Sequence, residues 1–218
     1  MNFSNWLTLI GNGLIETLYM TLVATVFAYL IGLPLGVILT VTAPGGIRPR
    51  PKLYRSLGIV INSLRSVPFL ILLVAILPFT RLIVGTTIGS TATIPPLVIA
   101  SAPFIARLVE SSLLEVDPGL IEAAESMGAN TGQIIRKVLL PEAKASLLTG
   151  AVIATTTILG YSALAGFTGG GGLGAIAVNY GYHRYQTDVM LWTVLLLIII
   201  VQAAQEIGTR IARRADKH

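Results

Sequence analysis

The sequence predicts an all-α integral membrane protein with five transmembrane helices. Of its 218 residues, 54% are hydrophobic and only 11% are charged, whereas a soluble domain carries about 25% charged residues. The mean hydropathy is +0.80. Uncharged runs long enough for a bilayer-spanning helix, about 20 residues, recur along the chain. Cysteine is absent, which excludes disulfide bonds and thiolate chemistry.

The predicted spans follow the apolar runs in order. Four runs carry no charge, and a fifth, at 56–80, contains only Arg65. The uncharged runs are 17–43, 82–106, 145–182 and 189–205. Within a single transmembrane domain, 1–218, we predict spans at 14–41, 58–78, 92–113, 145–168 and 189–209.

The first apolar run and the end of the fourth run each carry a further signal. No basic segment precedes the first apolar run, so we expect it to be retained as a span and not removed as a signal peptide. The fourth run ends in GFTGGGGLG, which is a poor helix former by composition. We therefore expect an external loop or a re-entrant turn after the fourth span.

Lysine and arginine orient the spans, because these residues accumulate on the cytoplasmic side of membrane proteins. Most of the 15 basic residues fall on one side of the predicted topology. They are Arg48, Arg50, Lys52, Arg55, Arg65, Arg107, Arg136, Lys137, Lys144, Arg210, Arg213, Arg214 and Lys217, against Arg81 and Arg184 on the other side. We predict an outer N-terminus and a cytoplasmic C-terminus. Topology and anionic lipid explain the basic surplus, so no nucleic-acid partner is needed.

The cytoplasmic loop at 114–142 is highly charged, and its first half has the signals of a short helix. Asp117 is placed as an N-cap, with Pro118 at the first helical position. Gly128 is a typical helix stop. Between these positions the spacing predicts one apolar stripe, formed by Leu120, Ala124 and Met127.

The second half of the same loop predicts a second short helix. Asn130 and Gln133 have the spacing of a capping box, and Pro141 ends the apolar periodicity that follows. Two amphipathic helices joined at a glycine allow two interpretations. They are interfacial helices that lie on lipid, or they are a docking element for a cytoplasmic partner.

The motif in this loop resembles the EAA loop of ABC-importer permeases. Glu122-Ala123-Ala124 is followed by three residues, Gly128, nine residues and Val138-Leu139-Leu140-Pro141. Val138 stands where that pattern often has isoleucine. The resemblance implies a type I ABC importer permease fold in which loop 114–142 contains the coupling helix that enters a cleft of a separate ATPase. The implied coupling residues are Glu122, Ala123, Ala124, Gly128, Ala129, Leu140 and Pro141.

Further stretches are similar to methionine ABC-transporter permeases, at 65–86, 102–129 and 169–182. This similarity covers most of the chain. It implies a homodimer in the bacterial inner membrane, two cytoplasmic ATPase subunits, and a periplasmic or lipid-anchored binding protein that delivers L-methionine and also D-methionine. Another small amino acid or an osmolyte is the alternative substrate.

Other functional classes are disfavoured by the sequence. GGGGLG at 169–174 satisfies G-x-G-x-x-G but lacks the strand-to-helix context of a dinucleotide site. None of the lysines follows a glycine, so the chain has no P-loop and no cofactor is expected. His183 and His218 are too far apart for a local metal site. An ion-coupled carrier or channel remains an alternative, although Glu16, Arg65 and Glu110 are all expected near span ends, where side chains snorkel.

Polar and kinked positions within the spans are candidates for the translocation pathway. Pro34, Pro68, Pro95, Pro96 and Pro103 permit kinks or broken helices. Interhelical hydrogen bonds are the more common role of such polar side chains, and helix packing is the more common role of the apolar one. The pathway candidates are Asn62, Pro68, Tyr161, Ser162 and Leu164.

Overall fold

The computed structural model describes the backbone of residues 3–215 and the side chains of residues 6–215. Every regular element in that range is helical. Lys217 of the predicted cytoplasmic charge set and His218 lie outside the described residues. Within the described range four helical segments are long and apolar enough to cross a membrane. A fifth crossing results if two helices joined by a sharp bend are counted as one span.

Helix α1, Phe3–Thr42, is 40 residues long and includes Pro34 in its interior. Its main partner is α5, Ser90–Leu114. The two helices approach closely at Gly32 and Gly36. A Cβ on Gly32 would stand 2.8 Å from the carbonyl oxygen of Ala102, so a larger residue would push the helices apart. The close packing of α1 against α5 therefore depends on these two glycines.

Helix α5 forms the middle of the hydrophobic core. Leu97, Ile105 and Val109 are almost fully buried there. Three prolines lie inside α5 without dividing it: Pro95, Pro96 and Pro103. Of the prolines predicted to permit kinks, only Pro68 lies at a break between two helices.

The second predicted span, 58–78, is divided in the structure. Helix α2, Pro51–Ser66, ends at Val67, which has extended backbone angles, and α3 begins after Pro68 at Phe69–Ala75. The axes of α2 and α3 differ by 100°. The bend has a local cause, because a residue before proline is driven out of the helical region. Helix α4, Leu77–Val84, follows directly.

The chain then crosses back through α5 into loop 114–142, which holds four short helical segments. These are α6 at Pro118–Ser126, α7 at Thr131–Ile134, a π-helix at Ile135–Leu139 and α8 at Leu140–Glu142. The long helix α9, Lys144–Leu164, starts immediately afterwards.

The predicted external loop after the fourth span is wrong for most of its residues, because only residues 169–171 of GFTGGGGLG lie outside helices. A 3₁₀ helix at Ala165–Thr168 leads into α10, Gly172–Ile176, and a π-helix at Ala177–Tyr182. Helix α11, Thr187–Ala215, completes the described chain. The glycine-rich composition of α10 disfavours an isolated helix, but α10 is stabilised by packing against α1 and α9.

Helix α10 takes its N-terminal cap from α1. The Glu16 carboxylate accepts a hydrogen bond from the Gly172 backbone N–H at 2.7 Å, and the Thr17 hydroxyl accepts one from Leu173 N–H at 2.9 Å. Glu16 was expected to snorkel near a span end, and this was wrong. The carboxylate instead satisfies a helix terminus, where a negative charge is stabilised.

Candidate functional site

The candidate site has a cytoplasmic part, loop 114–142, which we call the coupling segment. Its first helix has the predicted cap, since Asp117 Oδ1 accepts a hydrogen bond from Gly119 N–H at 2.8 Å. Gly128 ends that helix with a φ of +79°. Two backbone bonds close the end, Gly128 N–H to the Glu125 carbonyl at 2.9 Å and Ala129 N–H to the Ala124 carbonyl at 3.0 Å. This pair of bonds is the Schellman arrangement, which favours glycine at the left-handed position.

The second helix of the coupling segment is also capped by its own side chains. Asn130 Oδ1 accepts from Gln133 N–H at 3.0 Å, and Gln133 Oε1 accepts from Asn130 N–H at 2.8 Å. These reciprocal bonds form the capping box that the sequence predicts. Local hydrogen bonds therefore fix both ends of the turn between the two short helices, through the backbone at Gly128 and through side chains at Asn130 and Gln133.

The coupling segment is anchored to the membrane helices by a few buried side chains. Ala124, Ile134 and Leu139 are at most 5% exposed and belong to the same hydrophobic cluster as the centre of α5. The predicted apolar stripe does not act as one face, because Leu120 is 42% and Met127 81% exposed while Ala124 is buried. In α6, Ala124 is buried and Ile121 packs partly buried against the same cluster, whereas Leu120 and Met127 remain on the free surface.

The predicted coupling residues divide between this anchor and the free surface. Ala124 is buried, and Ala129 and Leu140 are partly buried. Glu122, Ala123, Gly128 and Pro141 are exposed. The exposed surface of the segment thus consists of carboxylate, methyl and backbone groups. Its buried side chains pack in the same hydrophobic cluster as α5.

A buried ion pair lies close to the coupling segment, and sequence reasoning missed it. Arg107 Nη1 donates to Glu110 Oε2 at 2.6 Å, and Arg107 Nη2 donates to Asn62 Oδ1 of α2 at 3.0 Å. Glu110 is only 4% exposed, so the expected snorkelling of this residue was wrong. The spacing of three residues between Arg107 and Glu110 on one helix was the available signal.

The pathway candidates do not form one lining. Tyr161 stacks on Phe69, the residue after Pro68, with ring centroids 4.5 Å apart and planes within 3°. Asn62 instead accepts from Arg107. Ser162 is buried and donates to the Leu159 carbonyl at 2.8 Å. Leu164 is partly exposed at the end of α9.

Comparison with known proteins identifies the family. The profile of a family described as "Binding-protein-dependent transport system inner membrane component" matches residues 32–217. The chain belongs to this family. It is therefore a multi-pass inner-membrane permease of an ABC importer, and ATP hydrolysis belongs to a separate subunit. The ion-coupled carrier or channel that the sequence left open is excluded.

Curated relatives are similar over most of the permease. A "Probable D-methionine transport system permease protein MetI" of Vibrio cholerae is 54% identical over 201 residues, which cover 92% of this chain and 89% of the relative. The "D-methionine transport system permease protein MetI" of Escherichia coli K12 is 54% identical over 158 residues, 72% of this chain and 73% of the relative.

Solved structures share the fold of the permease. A chain from "Inward facing conformations of the MetNI methionine ABC transporter" superposes with a TM-score of 0.97 at 50% identity, with 100% of both chains covered. A chain from an "amino acid ABC transporter with histidines" superposes with a TM-score of 0.80 at 22% identity, over 98% of this chain and 99% of the other. The predicted all-α, type I ABC importer permease fold is confirmed.

Proposed function

We propose that this permease imports methionine across the bacterial inner membrane, as the L-enantiomer and also as the D-enantiomer. The observation that carries the proposal is the 54% identity over 92% of the chain to a protein named as a D-methionine permease. The TM-score of 0.97 to a methionine ABC transporter supports it, because it extends the similarity to the whole chain.

The working assembly contains two copies of the permease, two cytoplasmic ATPase subunits and a methionine-binding protein on the outer side. The binding protein is periplasmic or lipid-anchored. Its role follows from the family description, which names binding-protein-dependent transport. The single domain, 1–218, spans the bilayer five times when α2 and the bent α3 are counted as one crossing, with its N-terminus outside and its C-terminus in the cytoplasm. Basic residues concentrated at the proposed inner ends of the helices support this orientation.

The coupling segment transmits closure of the ATPases to the spans. Glu122, Ala123 and Gly128 form the exposed contact, while Ala124 fixes α6 to the hydrophobic core. The other coupling residues of the proposal are Ala129, before the second short helix, and Leu140 and Pro141, after it. A docking element needs both an accessible face and a rigid support, and the capped, core-anchored pair of helices supplies both.

The translocation pathway runs beside the bend between α2 and α3. Pro68 lies at this bend, and Tyr161 packs against Phe69, the first residue of α3. Asn62, Ser162 and Leu164 are the other pathway positions of the proposal, although they do not share one lining with Tyr161. Discontinuous helices are typical of transporter substrate sites, which favours this part of the molecule over the continuous α1 and α5.

Labelled-methionine uptake tests the function. The permease is reconstituted into liposomes with its ATPase and binding protein, and uptake is measured with and without internal ATP. We expect ATP-dependent accumulation of L-methionine that D-methionine competes away. An assembled, ATP-hydrolysing complex that accumulates no methionine contradicts the proposal and favours another small amino acid or an osmolyte.

A further inference from the structure

A small cavity lies at the bend between α2 and α3. Its volume is about 180 Å³, and its wall includes Arg65, Phe69, Phe104 and Tyr161. The stacked rings of Phe69 and Tyr161 form one side. On another side the Arg65 guanidinium carbon lies 5.9 Å from the ring centroid of Phe104. The cavity thus combines one permanent cation with three aromatic rings.

The cavity lies at the C-terminal end of α2, beside the middle part of α5. Arg65 belongs to the last turn of α2, about 21 Å along the helix axis from Pro51 at 1.5 Å per residue. Phe104 lies in the middle part of α5, Ser90–Leu114, well away from both of its ends. Arg65 was expected near the start of a span, and the structure places it instead in the last turn of α2. Its side chain is exposed in the protomer, so an anion can reach the guanidinium group.

No carboxylate within the described residues 6–215 pairs with Arg65. The two ion pairs in that range are Arg107–Glu110 and Arg210–Glu206. The Arg65 guanidinium lies over the ring of Phe104, and a cation over a ring retains its ability to bind an anion through its N–H groups. A guanidinium is also the side chain best suited to bind a carboxylate with two parallel hydrogen bonds.

We propose that this cavity is the substrate subsite of the permease, in which Arg65 binds the α-carboxylate of methionine and the aromatic rings hold its thioether side chain. Phe69, Phe104 and Tyr161 supply apolar contact and the sulfur–aromatic contacts that thioethers favour. A volume of about 180 Å³ corresponds to roughly six water molecules, which is the scale of one amino acid. The inference rests on the proposed methionine transport.

The site is built for weak binding. Its wall offers one charge for the carboxylate and no acidic side chain for the α-ammonium group. A compound with a carboxylate and a flexible apolar tail should therefore bind whether or not it contains sulfur, and a compound without the carboxylate should not. Norleucine is the probe that lacks only the sulfur, and methioninol is the probe that lacks only the carboxylate.

Photo-labelling tests the site without the selectivity of the binding protein. The permease–ATPase complex in lipid nanodiscs is irradiated with photo-methionine, a diazirine analogue, and the modified residues are located by mass spectrometry. We expect adducts on Phe69, Phe104 or Tyr161 that excess methionine or norleucine suppresses and methioninol does not. Adducts confined to other helices, or equal competition by methioninol, overturn the proposed site.

Variants give a second measurement. Arg65→Met should lower both the labelling and the methionine uptake roughly tenfold or more, the scale of one charge-assisted hydrogen bond, while Arg65→Lys should retain part of each. Arg81→Met is the matched control, because Arg81 is an exposed arginine of α4 outside this cavity. Unchanged labelling and uptake in Arg65→Met contradict the subsite.

The outcomes separate the subsite from the function. If the wild-type complex transports methionine but Arg65→Met does so equally well, the subsite is wrong and the function stands. If the wild-type complex transports no methionine, the function fails first. If Arg65→Met does not assemble, competition by methionine against methioninol on the wild-type complex still decides the site.

Discussion

Two ion pairs in the permease have the same length and opposite surroundings. Arg107–Glu110 and Arg210–Glu206 both measure 2.6 Å between nitrogen and oxygen. The Glu110 side chain is 5% exposed, whereas Glu206 is 62% exposed. A charge that loses its partner at a buried position cannot turn to water, so the same substitution has very different effects at the two places.

We predict that Arg107→Met destabilises the permease by about 3–5 kcal/mol, because Glu110 is left buried without its partner. The double variant Arg107→Met/Glu110→Leu should recover most of this loss, since neither charge remains. Arg210→Ala is the control and should change stability by only about 0–1 kcal/mol. Thermal unfolding in detergent measures all three. Equal effects of Arg107→Met and Arg210→Ala would contradict a structural role for the buried pair.

Gly128 tests whether docking of the ATPase needs a position without a side chain at the turn of the coupling segment. Its φ is +79°, and among the described residues no heavy atom beyond Gly128 and its two chain neighbours lies within 4 Å of the place where a Cβ would stand. We predict that Gly128→Asp inserts normally, since aspartate tolerates the left-handed region better than most residues, yet abolishes uptake and weakens binding of the ATPase. Co-purification of the ATPase and labelled-methionine uptake are the measurements.

The Gly128 prediction has two comparisons. Gly132→Ala lies on the neighbouring helix α7, where φ is not positive and the contact with Asn130 is ordinary at 3.4 Å, so uptake should stay near normal. Glu122→Lys should be mild, because an exposed charge contributes only about 0–1 kcal/mol. Near-normal transport by Gly128→Asp would remove the support for docking at this turn.

At the scale of elements, α10 depends on side chains of another helix. Its first two amides are bound by Glu16 and Thr17 of α1, more than 150 residues earlier in the chain. We predict that Glu16→Ala speeds hydrogen exchange of the Gly172 amide roughly tenfold, within the range for loss of an N-cap. Glu16→Gln retains a carbonyl oxygen as acceptor and should exchange nearly as the wild type. Unchanged exchange in Glu16→Ala would show that packing alone holds α10.

The difference between local and long-range hydrogen bonds explains which features the sequence could predict. The helix caps of the coupling segment agree with the sequence prediction, because each is made by hydrogen bonds within a few residues. These are the caps at Asp117, at Asn130 with Gln133, and at Gly128. The helical state of residues 172–182 could not be predicted, because its cap comes from α1. Burial of Glu110 was missed for a related reason, since the depth of a position depends on which helices surround it.

At the scale of the whole molecule, the helices differ in how much of them one chain can bury. In the most apolar part of α5, 61% is buried within the chain, against 11% in α11. Helix α5 is thus the centre of the protomer, and α11 presents its apolar surface outward to lipid or to a second copy. A pathway enclosed by helices therefore needs the homodimer proposed above.

Orientation of the whole permease can be measured directly, because the natural chain has no cysteine. Thr187 and Ser126 are both exposed and lie at opposite ends of the helix bundle in the proposed topology. We predict that a cysteine at Thr187 reacts with an impermeant thiol reagent in intact spheroplasts. Cysteines at Ser126 and at Ala215 should react only after the membrane is permeabilised, because the proposed topology places both in the cytoplasm. Labelling of Ser126→Cys in sealed cells would place the coupling segment outside and would contradict both the orientation and the docking of an ATPase there.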